Sequence, residues 1–126
     1  MDSQMLQFKR TVNAPATEAY RAFTRTVALR EWLCDVAMAD ARAGGRLYLW
    51  WNSGYYACGE FTAVEPDKAV AFTWHGRGEP ATTQVQVSLA AAEDGTEVTL
   101  THNGIGEGAE WATARQEIER GWQVGL

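Results

Sequence analysis

The sequence predicts an α+β domain in which a curved antiparallel sheet of six to seven strands wraps around one long C-terminal helix, with two short helices after the first strand. Three observations carry this. Apolar and polar residues alternate along most of residues 36–103, which is the period of half-buried strands. Turn-forming residues separate these runs at Asn52-Ser53-Gly54, Pro66-Asp67-Lys68 and Asp94-Gly95, so successive strands pair as hairpins. The last stretch, Glu110 to Leu126, changes to helical spacing, with Trp111, Ala114 or Arg115, Ile118, Trp122 and Leu126 on one stripe.

Each element has a local reason. Met5 to Asn13 places Leu6, Phe8 and Val12 on one parity, and Arg10 interrupts that apolar side. Pro15 ends the strand, because it has no N–H for a ladder but suits a helix start. Glu18 to Thr26 reads as a helix with Ala19, Tyr20 and Phe23 on one side. Val27 to Leu33 reads as a second, with Leu29, Trp32 and Leu33 at helical spacing. Strands follow at Val36–Ala39, Arg46–Trp51, Tyr55–Glu65, Ala69–His75, Ala81–Ala91 and Glu97–Asn103. The terminal helix contains Gly121 and Gly125, each weaker than alanine there by about 1 kcal/mol. It reaches the last residue without a cap, as a truncated helix would. The whole of 1–126 is read as one domain, since 126 residues bury roughly two-thirds of their unfolded surface.

Charge and composition exclude several roles. The formal charge is −5 and the longest basic cluster is Lys9-Arg10, so neither nucleic acid nor an anionic membrane surface is an expected partner. No stretch approaches the roughly 18 apolar residues of a membrane span, and no signal peptide is seen at Met1 to Lys9. The two cysteines, Cys34 and Cys58, are read as reduced thiols of a cytoplasmic protein. The two histidines stand far apart, without a Cys-x-x-Cys or His-Glu-x-x-His pattern, so no metal or other cofactor is expected. Ser53 and Ser88 lack a histidine–carboxylate neighbourhood, and no catalytic residue is nominated. Gly104-Ile105-Gly106-Glu107-Gly108-Ala109 mimics a dinucleotide loop, but the second strand and the acidic residue about 20 positions on are missing.

The chain resembles a known family. The resemblance lies in Val12-Asn13-Ala14-Pro15 followed by Tyr20, in Leu29-Arg30-Glu31-Trp32-Leu33, and in Ala43-Gly44-Gly45-Arg46-Leu47. It continues through Gly59-Glu60-Phe61 with Glu65-Pro66, Ala71-Phe72-Thr73-Trp74, the run from Thr96 to Gly104, and Gly121-Trp122. In order and spacing these are similar to the activator of Hsp90 ATPase homologue-like family, within the START-like (SRPBCC) superfamily. The resemblance implies a helix-grip fold with a cavity between helix and sheet. It also implies a ligand of lipid, hormone or polyketide type, a few relatives being enzymes.

On that frame the inward parity nominates a ligand-binding lining. It comprises Leu49, Trp51, Phe72, Trp74, Val87, Leu89 and Leu100, with His102 and Arg115 as the polar members and Trp111 and Ile118 from the helix. The alternative for the same rings is a filled core. His102 is the leading single residue, with a backbone-bonded core histidine as its alternative. Arg10 needs water or a carboxylate, for which Glu117 and Glu119 are candidates. The function expected first is binding of a small hydrophobic molecule. The alternatives are an enzyme of cyclase or hydrolase type using His102, and a chaperone-interacting or homodimeric module using outward Tyr48, Trp50 or Tyr55.

Overall fold

The computed structural model describes residues 4–105 together with Trp111, Gln116 and Ile118. Along the chain come β1 (Gln4–Val12), α1 (Ala16–Thr24), α2 (Thr26–Trp32), β2 (Val36–Ala39), β3 (Arg46–Trp50), β4 (Tyr56–Glu65), β5 (Ala69–Gly76), β6 (Thr83–Ala92) and β7 (Gly95–Ile105). The expected strand and helix ends are displaced by a residue or two.

The strands form one curved antiparallel sheet in the order β1-β7-β6-β5-β4-β3-β2. Consecutive strands from β2 to β7 are neighbours because short turns join them. The first strand returns to pair with the last, Phe8 opposite Leu100 and Arg10 opposite Val98. Alternation decides which side chains point inward. In β6, Thr83, Val85, Val87 and Leu89 are buried while Gln84, Gln86 and Ser88 are exposed. In β7, Thr96, Val98, Leu100, His102 and Ile105 are the buried set. These residues and their counterparts in β3, β4 and β5 make one apolar core.

The sheet's register is irregular in β1–β7, between Gln4 and Leu6, and in β4–β5. The β4–β5 register shifts between Phe61 and Ala63, and there Gly59 lies so close to β5 that a Cβ would collide with the Thr73 carbonyl. A side chain cannot be accommodated without moving backbone.

The two helices are tied to each other and to the sheet. Arg25 leaves helical geometry between them (φ −103°, ψ 130°). The Trp32 indole reaches back to donate to the Ala22 carbonyl at 2.8 Å, and its ring meets Phe23 edge-on at 5.2 Å. Ala19, Phe23 and Leu29 are buried against the sheet's inner side. The Ala39 amide donates to Thr26 Oγ1 at 3.2 Å, so α2 partly covers the outer edge of β2.

Of the predicted C-terminal helix, Gln116 and Ile118 have helical backbone, and Trp111 and Ile118 are buried in the common core. Its remaining length, its ending and Arg115 lie outside the described residues. No helix among the described residues is long and apolar enough to cross a membrane.

Candidate functional site

The inner face gathers most of the nominated residues. Leu49, Phe72, Trp74, Val87, Leu89, Leu100 and His102 are buried and belong to, or pack on, the same core as Trp111 and Ile118. Trp51 follows β3, is half-buried, and donates from Nε1 to the Leu33 carbonyl at 2.7 Å. Its ring lies 6.4 Å from that of Trp74. Arg115, the other nominated polar residue, lies outside the described residues.

His102 is fully buried. Its Nε2 stands 2.6 Å from Thr83 Oγ1, and that hydroxyl also lies 3.1 Å from the Trp74 carbonyl. A carbonyl can only accept, so the single hydroxyl proton goes to it and the ring proton sits on Nε2, donated to Thr83. One ring nitrogen is thus bonded to a threonine hydroxyl. Trp74 presents its ring edge-to-face to His102 at 5.7 Å. Burial in this setting lowers the imidazole pKa from 6.5 to about 4. At neutral pH His102 is therefore an uncharged imidazole with one proton committed. An imidazole held neutral in this way is a poor general acid.

A second polar chain hangs from the other end of Trp74. Its Nε1 donates to the Tyr55 hydroxyl at 3.1 Å, and that hydroxyl donates to Glu79 Oε2 at 2.7 Å. Glu79 is only 6% exposed, and its Oε1 accepts the Gly76 amide at 3.0 Å. The sequence reading missed Tyr55, Glu79 and Thr83 here. The sequence pattern puts Tyr55 on the outward parity with Tyr48 and Trp50. It points inward because odd positions, such as Ala57 and Phe61, face the core along this part of the chain. Thr83 was legible as the next member of the Val85–Val87 series. Glu79 sits in a loop, where no periodicity marks it.

At the opposite end of the inner face lies a cavity of about 330 Å³ between β1, β7 and the two helices. Its lining among the described residues is Val12, Ala14, Ala19, Ala22, Phe23, Trp32 and Val98, with Arg10 and Glu18 as the charged members. Of the two expectations for Arg10, water or a carboxylate, the described residues show the first. Its side chain is exposed, so water solvates it, and Nη1 donates to the Lys9 carbonyl at 2.8 Å. No carboxylate among the described residues pairs with it. The nominated Glu117 and Glu119 lie outside the described residues.

The outer face is apolar near β2. Val36, Met38 and Tyr56 are exposed, and Tyr48 stacks on Tyr56 at 6.4 Å. Both cysteines are free thiols. Cys34 is buried, and burial foremost, with Asp35 adding to it, raises its thiol pKa, which suits a structural cysteine over a nucleophile. No group of three or more metal-ligating side chains occurs among the described residues.

Solved structures share this architecture. An HSP90 activator from Plasmodium falciparum matches with a TM-score of 0.83 at 23% identity, over 97% of this chain and 90% of that one. Protein CV1439 from Chromobacterium violaceum matches with 0.81 at 26% identity, over 97% and 91%. DynU16, a protein of the dynemicin biosynthetic locus, matches with 0.81 at 21% identity, over 96% of this chain and 44% of that one. No curated protein matches. The family model described as activator of Hsp90 ATPase homolog 1-like protein matches residues 13–126. With the seven-stranded grip and the matched span together, the chain belongs to the activator of Hsp90 ATPase homolog 1-like family of the START-like superfamily.

Proposed function

We propose that this protein, acting as a single domain over 1–126, binds a small hydrophobic molecule of lipid or polyketide type between the inner face of the sheet and the helices that close it. One observation carries the reading. The inner face does not pack solid but leaves about 330 Å³ of largely apolar space against α1 and α2, within the size range of small-molecule pockets. DynU16 belongs to a biosynthetic locus, which suits a small-molecule ligand. The ligand body lies against Phe23, Trp32 and Val98. The sequence-nominated set, centred on Trp74, His102 and Leu100, does not line this space among the described residues; it packs as a deep wall of core at the other end of the inner face.

Tryptophan fluorescence titrated with fatty acids and aromatic polyketides tests this. Saturable quenching is expected, and it should weaken in Trp32→Phe if the ligand occupies the α1–α2 end. Loss of the signal in Trp74→Phe instead would place it at the deep wall. Absence of any saturable response would overturn the proposal.

A second reading rests on the outer face. Val36, Met38 and Tyr56 sit together and exposed, an arrangement suited to a protein partner or a second copy. A concentration-dependent dimer that Met38→Lys abolishes would support it. A monomer at all concentrations would leave only a different protein as partner.

A further inference from the structure

Arg10 interrupts an apolar series. It lies on the inward parity of β1, between buried Phe8 and half-buried Val12 and opposite buried Val98. Its side chain is exposed, so water satisfies the charge when no ligand is bound. Here the guanidinium has one protein contact, the Lys9 carbonyl, and no ion pair among the described residues. Glu18 lines the same cavity from α1 but does not pair with it. Glu18 stands in the first turn of its helix, where the positive end of the helix dipole already favours its charge. The guanidinium gives one donor to the protein and keeps the rest for water or a ligand, beside a space of apolar walls.

We propose that Arg10 anchors the carboxylate of an amphipathic acid whose apolar body fills the cavity between β1, β7 and the α1–α2 pair. This rests on the ligand-binding reading above and names the ligand's class. The chemistry is a forked, charge-assisted hydrogen bond from guanidinium to carboxylate. Arg10 is exposed at the edge of the cavity, so water partly screens that pair and the forked geometry supplies most of its specificity. The protein as a whole carries −5, so attraction of an anion must be local, and Arg10 is the one cation among the described residues that line the cavity. It follows that the affinity is sensitive to salt.

A competing role exists for the same residue. β1 is an outer strand of the sheet, and an inward-pointing charge on such a strand discourages addition of further strands. The two roles differ in what substitution changes.

The test uses the full chain, intrinsic tryptophan fluorescence, and two probes of equal chain length, decanoate and decanol. The unsubstituted protein should prefer decanoate by about tenfold, the worth of one charged hydrogen bond, and the preference should shrink as salt is raised. Arg10→Gln should remove the preference while decanol affinity stays unchanged. Arg10→Lys should retain part of it, and Glu18→Gln should increase decanoate affinity. Equal affinity for the two probes in the unsubstituted protein would overturn the proposal while sustaining ligand binding. So would a preference that survives Arg10→Gln, particularly if that variant self-associates, which assigns Arg10 to strand protection. Failure of both probes to bind would remove the proposal together with the ligand-binding reading.

Discussion

Thr83 Oγ1 and His102 Nε2 meet at 2.6 Å across the β6–β7 pair, as diagonal neighbours one step from the Val85–His102 register. Neither side chain is accessible to water. The pair is what allows a histidine to sit in the apolar floor of the grip, because it satisfies the ring proton that burial would otherwise strand.

Acid should weaken the fold through His102. Its folded-state pKa is lowered by burial to about 4, against an ordinary 6.5. The unfolded chain therefore takes up this proton first as the pH falls. The stability tied to His102 is complete above pH 6.5 and is lost as the pH drops toward 4. The full loss is about 3 kcal/mol. Urea unfolding at pH 7.5 and at pH 5, compared between the unsubstituted chain and His102→Gln, measures it. An identical pH slope in both would show that the imidazole is not held neutral.

Thr83→Val should cost about 1–3 kcal/mol, the penalty for leaving a buried donor unpaired. Thr83→Ser keeps the hydroxyl and should recover most of that loss. If valine and serine behave alike in thermal unfolding, the hydroxyl contributes nothing and the residue acts by packing alone.

Tyr55→Phe should be among the more damaging changes near the β5–β6 loop. It removes the acceptor of the Trp74 indole and the donor to buried Glu79. A loss of about 2 kcal/mol or more is expected. Hydrogen exchange at Gly76, whose amide is held by Glu79, should quicken in step. Unchanged protection there would mean that the carboxylate is held without the tyrosine.

Gly59→Ala should destabilise the β4–β5 pairing by about 2 kcal/mol or more, because the added methyl meets the Thr73 carbonyl of the neighbouring strand. Gly78→Ala is a useful comparison. Its added Cβ meets nothing within 4 Å, although its backbone lies at φ +80°, so it registers conformational strain without collision. A smaller loss at Gly59 than at Gly78 would contradict the close approach.

Sequence alone determined the sheet, the pairing of its consecutive strands and the two helices. Those features depend on local periodicity and on turn chemistry, as in the strict alternation from Thr83 to Leu89 and the Asp94-Gly95 turn. It determined equally that His102 would face inward, since it continues the Val98–Leu100 parity. Tertiary structure decided what that histidine bonds to, because Thr83 is brought to it only by the β6–β7 register. It decided that Tyr55 turns inward and that a loop carboxylate, Glu79, is buried under it. It also decided that the hollow opens beside Arg10, Phe23 and Trp32. Parity assigns a side chain to a face, but whether the opposing volumes meet or leave space depends on how helices and sheet are stacked, and that is a three-dimensional quantity without a signature in one dimension.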